Sequence, residues 1–129
     1  MNVVDSSGWI EFFLAGPNGP SFKPVIEQRG RLIVPVIALY EVHKILSRKL
    51  PAVAVNQALD VMRLGRLIDL TDRRVIAAST TAAQYKLAMA DAVMYSMALE
   101  HKATFWTQDV DYDGLPSVQY CAKTPPPST

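Results

Sequence analysis

Hydrophobic positions along the chain change period several times, and the changes predict strands alternating with helices. Residues 1–5 (MNVVD) form a short apolar run ending on an acid, the pattern of a buried strand. Ser6 or Ser7 is placed to cap a helix in which Trp9, Phe12 and Phe13 recur at helical spacing. Gly16, Pro17, Gly19 and Pro20 stop it, and Ser21 then caps a second short helix with Pro24 tolerable only in its first turn. Residues 31–34 (RLIV) predict a second strand ended by Pro35.

From Val36 to about Leu50 the pattern is helical again, with Leu39, Val42 and Leu46 as the inward stripe. Residues 53–64 predict an amphipathic helix closed by Gly65 as C-cap, and residues 67–70 (LIDL) a third strand. Thr71 caps a fifth helix. A sixth, apolar on most sides and therefore buried, opens at Asp91 and leads into a fourth strand at Phe105 and Trp106. A turn over residues 113–116 and a last strand over 117–121 complete residues 1–122, read as one domain; residues 123–129 (KTPPPST) read as a disordered Pro-rich tail. Alternation of this kind predicts an α/β fold with a mostly parallel sheet, in which ligands collect beyond the carboxyl ends of the strands.

Composition narrows the class. The 129 residues are half hydrophobic and 19% charged, as in a folded single domain. A single cysteine, Cys121, excludes an internal disulfide and fits a reducing compartment. With one thiol and no clustered histidines, any bound metal should have oxygen ligands. No run reaches the roughly 20 apolar residues that span a bilayer. Asp5, with no basic lead-in before it, argues against a secretory signal, so the expectation is a cytoplasmic protein without a membrane partner. The net charge of +1 hides a basic first two-thirds and an acidic knot of three aspartates over 109–113. A basic surface around an acidic knot suits a metal in the knot and a polyanion around it.

Four acids stand at element ends or on an inward-leaning helix: Asp5 after the first strand, Glu41 on the long helix, Asp91 at a helix start and Asp109 after the fourth strand. Brought together, each pair would repel by about 4 kcal/mol at an effective dielectric near 20. A divalent cation is the simplest remedy, and an oxygen-rich cavity of this type suits Mg²⁺ or Mn²⁺. Such an ion polarises a phosphoryl oxygen and activates water, so no side-chain nucleophile is needed. Each acid also has a plain structural reading. Asp5 and Asp91 fit as helix caps, Glu41 as half of an ion pair with Lys44, and residues 109–113 as a solvated loop. Lys44 and Arg48 share the Glu41 face and are candidates for contacts to a polyanion's phosphates or simply solvated cations. Tyr40, Tyr95, Met89, Met94 and Met97 read as packing residues. His43 and His101 would suit metal-free acid–base cleavage only if they met, and His43 lies about 200° around the helix from Glu41.

Three segments carry a specific likeness: VVDSSGWIEFF at the N-terminus, VPVIALYEVHKIL around Glu41, and residues 87–119, LAMADAVMYSMALEHKATFWTQDVDYDGLPSVQ. Over residues 2 to about 120 the chain resembles PIN-domain endoribonucleases of the VapC toxin family. The most specific part is an ADA-type helix start followed by a T-x-D-x-D-[FY] block, here Thr107, Asp109, Asp111 and Tyr112. The resemblance implies a three-layer α/β/α domain and Mg²⁺- or Mn²⁺-dependent cleavage of RNA. It further implies a homodimer neutralised by a cognate VapB-like antitoxin. It assigns Asp5, Glu41, Asp91 and Asp109 to a catalytic, metal-binding tetrad, Thr107 to a small-hydroxyl position and Asp111 to an auxiliary acid. Gln108 departs from the basic or small residue expected there. The alternatives are a metal-dependent phosphatase or DNA nuclease on the same scaffold, or a non-catalytic RNA- or protein-binding module.

Overall fold

The computed structural model describes residues 1–123 of the chain. The proposed Pro-rich tail therefore lies, beyond Lys123, outside the described residues. Among these residues five strands form one sheet: β1 (Asn2–Val4), β2 (Leu32–Pro35), β3 (Arg66–Ile68), β4 (Thr104–Thr107) and β5 (Val118–Tyr120). Their order is β3-β2-β1-β4-β5 and every pairing is parallel. Val3, Val4, Ile33, Val34 and Phe105 are all buried, as strands covered on both faces require. Edge strand β3 instead exposes Arg66 and Leu67.

Among the described residues six α-helices connect or cover the strands: α1 (Ser6–Phe13), α2 (Gly19–Glu27), α3 (Val36–Leu46), α4 (Ala52–Met62), α5 (Asp72–Tyr85) and α6 (Met89–Glu100). Helices α1 and α2 pack on β4 and β1, whereas α6 packs on β2 and β4 and carries α5 against its outer side. The layers are α/β/α. Tyr95 of α6 meets Phe105 and Tyr112 edge-on or tilted, with ring centroids 5.5 and 5.9 Å away, and so anchors the central helix to β4. The run from Ala92 to Ala98 is buried throughout, in keeping with its near-continuous apolar sequence.

Several boundaries differ from the sequence-based expectation, for local reasons. Helix α1 begins at Ser6 because Asp5 is its N-cap residue, and the Asp5 carbonyl accepts the N–H groups of Gly8 and Trp9. The serine hydroxyls are thereby released for other partners. Helix α2 starts at Gly19, with Pro20 in its first turn, ahead of the Ser21 cap anticipated. Pro35 is the last residue of β2 and, as such, also precedes α3, which stops at Leu46. Gly65 does not end α4 through a left-handed turn, since Gly114 is the only glycine with positive φ among the described residues. It is small because a Cβ there would stand 2.9 Å from Val34 Cγ2. Thr71 caps α5 as anticipated, its hydroxyl accepting from the Arg74 N–H. Tyr40 and Met89, read as packing residues, are 62% and 77% exposed. Trp9, in contrast, is fully buried and stacks on Phe13.

Candidate functional site

In a sheet of order 3-2-1-4-5 the chain direction of assembly reverses between β1 and β4, and in open sheets of this kind the ligand crevice lies at that switch point, beyond the carboxyl ends. Asp5 follows β1 directly, and Thr107 ends β4 with Asp109 two residues on. Register sets them side by side: Val4 pairs with Trp106, and the Asp5 N–H donates to the Trp106 carbonyl at 2.9 Å. Both acids are thus delivered to the switch point by backbone pairing alone.

Asp5 is 2% exposed. Its Oδ2 accepts from Ser7 Oγ at 2.8 Å and from Thr107 Oγ1 at 2.9 Å. Its Oδ1 is buried and has no hydrogen-bond partner among the described residues. The Thr107 hydroxyl itself accepts the Asp109 N–H at 2.9 Å, so its own proton is directed to Asp5. Asp109 Oδ1 accepts the Asp111 N–H at 2.9 Å, closing an Asx-type turn around the short 3-10 segment Val110–Tyr112. Asp111 itself is exposed.

Glu41 projects from α3 toward the start of α1, where Ser6 Oγ donates to its Oε1 at 3.2 Å. The Glu41–Lys44 ion pair does not form among the described residues. Asp91 sits in the first turn of α6, whose N-cap is Ala88, and adds a carboxylate to the positive end of that helix dipole. It is not itself the cap. The Tyr112 hydroxyl is buried and makes no hydrogen bond of regular geometry, yet lies near enough to Asp91 to favour its ionised form.

Electrostatics couple the acids. Burial pushes the Asp5 carboxyl from 3.8 up to about 6; the Ser7 and Thr107 hydroxyls oppose the rise, and the charges of Asp91 and Asp109 add to it. Burial also raises Asp91, helped by Asp109, Glu41 and Asp111 and opposed by the Tyr112 hydroxyl. Tyr112 is driven far above the usual phenol range by burial, then by Asp5, Asp91 and Asp109. None of the four acids forms an ion pair with a lysine, arginine or histidine among the described residues. Asp5, Asp91 and Asp109 thus share one electrostatic environment, and Glu41 enters it through Asp91 alone; Ser6, Ser7 and Tyr112 are the neighbouring hydroxyls.

The donor set suits a hard dication. All the candidate donors are oxygens, and one, Asp5 Oδ1, is desolvated and unsatisfied. Among the described residues no three Asp, Glu, His or Cys side chains stand close enough together to hold a metal ion between them. Mg²⁺ does not require three, being held typically through one or two carboxylates while keeping several waters.

The PIN domain family profile matches residues 3–117. The chain belongs to the PIN-domain family. No curated protein matches it in sequence. Among solved structures, this PIN domain is similar to a toxin–antitoxin complex from Klebsiella pneumoniae (TM-score 0.79, 16% identity, covering 96% of this chain and 100% of that one). It is also similar to Mycobacterium tuberculosis VapC20, described as a sarcin–ricin-loop-cleaving toxin (TM-score 0.76, 16% identity, 90% and 95% covered). A third is VapBC2 from Rickettsia felis, bound to a DNA fragment from its promoter (TM-score 0.71, 12% identity, 92% and 97% covered). At these identities the likeness is one of fold.

In this PIN domain Lys44 is exposed on α3, whereas Arg48 lies exposed in the turn beyond Leu46 and so off the helix face expected to carry it; neither has an ion pair among the described residues. Arg74 is engaged elsewhere: Nε and Nη2 donate to Glu100 at 3.0–3.2 Å and Nη1 to the Asp69 carbonyl at 2.9 Å. His101 is bound to the Met97 carbonyl at 2.8 Å and His43 is exposed on α3, so nothing joins the two imidazoles. No helix among the described residues is long and apolar enough to cross a membrane.

Proposed function

We propose that this PIN domain is a metal-dependent endoribonuclease toxin of the VapC type, acting in the cytoplasm and neutralised by a cognate VapB-like antitoxin. The observation that carries the reading is the buried, unpartnered Asp5 Oδ1 in a crevice shared with Asp91 and Asp109, whose charges already raise its proton affinity. A site of that character is unfinished without a cation. The fold likeness to toxin–antitoxin complexes supports the toxin assignment and the antitoxin partner, and the sarcin–ricin-loop cleavage carried out by VapC20 supports RNA as the substrate class. A homodimer is the assembly expected of this type.

Asp5, Glu41, Asp91 and Asp109 would hold Mg²⁺ or Mn²⁺, with Asp111 as an auxiliary acid at the exposed side. The bound ion supplies Lewis acidity toward a phosphoryl oxygen and a water activated near neutral pH. The chain's own groups prepare that chemistry. Ser7 and Thr107 fix Asp5 through Oδ2 and leave Oδ1 without a protein partner, as a ligand oxygen for the ion would be. Ser6 holds Glu41 to the beginning of α1. The Asp109 turn is held by its own N–H to Thr107 and by Asp111 N–H to its Oδ1. Lys44 and Arg48 are free to bind RNA phosphates without reading sequence. Cleavage by water, with the 2′-hydroxyl unused, leaves a 3′-hydroxyl and a 5′-phosphate.

Purified protein with Mn²⁺ is expected to cut RNA, and Asp5→Asn or Asp91→Asn to abolish cutting. Equal activity in EDTA would exclude the reading. A panel of RNA, single-stranded DNA and a small phosphomonoester separates ribonuclease from DNA nuclease or phosphatase. Absence of Mn²⁺ binding in calorimetry would favour a non-catalytic module.

A further inference from the structure

Behind the acidic crevice lies a buried polar cluster that the chemistry above does not use. Gln108, between Thr107 and Asp109, is 6% exposed and bonds to neither Asp5 nor Asp109. Its Nε2 donates to Glu11 Oε2 at 3.1 Å, and its Oε1 accepts from Asn18 Nδ2 at 3.1 Å. Glu11 Oε1 accepts the Asn18 N–H at 3.1 Å, and Asn18 Nδ2 also donates to the Ala122 carbonyl at 2.9 Å. Gly16 makes room for the arrangement, because a Cβ there would come within 2.1 Å of Glu11 Oε1. Helix α1, the loop after it, the end of β4 and the segment at Ala122 thus meet through one carboxylate and two primary amides.

The consequence is geometric. Consecutive residues at the end of β4 are tied to the same helix at two heights: Thr107 to Asp5 at its N-cap, and Gln108 to Glu11 near its other end. Six helical residues separate those anchors by about 9 Å. The backbone that enters Asp109 is therefore strapped along α1, the helix that starts at Asp5. We propose that Gln108 and Glu11 are positioning residues that set the Asp5–Asp109 separation and hence metal affinity; this rests on the metal-dependent reading above. Glutamine suits the position because it donates to one neighbour and accepts from the other at once. A glutamate there would face Glu11 with like charge.

The test compares Mn²⁺ affinity by calorimetry and thermal midpoint for wild type, Gln108→Glu, and the swapped pair Glu11→Gln with Gln108→Glu. Gln108→Glu is expected to weaken Mn²⁺ binding about 10–100-fold, as lost outer-shell partners do. The swap restores a donor opposite an acceptor and is expected to return affinity to near the wild-type value. A charge at position 108 acting only over distance would affect both variants alike, as would a local packing fault. Wild-type affinity in Gln108→Glu, or a swap as weak as the single variant, overturns the inference. Should Gln108→Glu not fold, Gln108→Ala removes the tie without adding charge, and unchanged Mn²⁺ affinity there likewise overturns it. If wild type itself binds no Mn²⁺, the metal reading fails first and this inference with it.

Discussion

Thr107 donates its hydroxyl proton to Asp5 Oδ2 at 2.9 Å while accepting the Asp109 N–H at 2.9 Å. One buried hydroxyl therefore links the acid after β1 to the acid after β4 and sets the direction of its own proton. Thr107→Val keeps the shape and removes both bonds. A lost bond to a charged group costs about 1.5–3 kcal/mol, and urea unfolding should show a loss of that size. Thr107→Ser retains the hydroxyl and should recover most of it. Equal stability of the valine variant and wild type would mean that the linkage carries no energy.

The raised Asp5 pKa makes metal-free stability depend on pH. A folded pKa of about 6 against 3.8 corresponds to roughly 3 kcal/mol in favour of the protonated folded form. That contribution is fully present below the unfolded value and is lost as pH rises through about 6. Asp91, raised in the same direction, adds to the slope. Glu100, lowered by Arg74, works the other way, and only as pH falls through the acid range. In EDTA the thermal midpoint should therefore drop by several degrees between pH 5 and pH 8, and Mn²⁺ should restore it. Asp5→Asn should flatten most of the dependence while leaving the metal-free protein at least as stable as wild type at pH 8. A flat wild-type profile would contradict the buried-carboxylate account.

Much of this was legible in the sequence because the signals were local and redundant. The apolar runs at residues 2–4, 32–34 and 105–106 gave strands, and an acid after two of them gave the crevice. Other features depended on tertiary contacts that no periodicity encodes. Ser6 and Ser7 read as caps, since a hydroxyl before a helix usually is one. With Asp5 already in the N-cap position, their side chains turn to Glu41 and Asp5. Met89 looked like core by type, but it is the first residue of α6 and projects beyond the packed turns. Gln108 stood out only as a departure, and its reason appears once Glu11 and Asn18 are seen to converge on it.

Tyr112 offers a cleaner probe of the acid cluster than any carboxylate. Its ring packs on Phe105 at 4.7 Å and on Tyr95 at 5.9 Å, so Tyr112→Phe leaves the aromatic cluster intact. Only the hydroxyl is lost, and with it the influence that favours the ionised form of Asp91. Folding stability should change by less than about 1 kcal/mol, because no regular hydrogen bond is broken. Mn²⁺ binding should weaken and move to higher pH, since Asp91 then holds its proton longer. Calorimetric titrations at two pH values measure both, and an unchanged pH profile would leave Tyr112 a packing residue only.

Gly8 tests how closely the helix bearing the site must approach the sheet. A Cβ at this position would lie 2.8 Å from Val4 Cγ1 and 2.8 Å from Phe22 Cε1, both in fully buried side chains. Neither neighbour has room to withdraw, so Gly8→Ala must lift α1 away from β1 and α2. Overpacking of this kind costs about 1–3 kcal/mol, which outweighs the roughly 1 kcal/mol that alanine gains over glycine in a helix. The displacement acts where Ser6 and Ser7 bond to Glu41 and Asp5, so Mn²⁺ affinity should fall together with stability. Gly30 is the control: a Cβ there meets nothing within 4 Å, and Gly30→Ala should leave both unchanged. A Gly8→Ala protein as stable as the Gly30→Ala one would show that α1 can move without consequence, and that its close seating on the sheet does not hold the acids together.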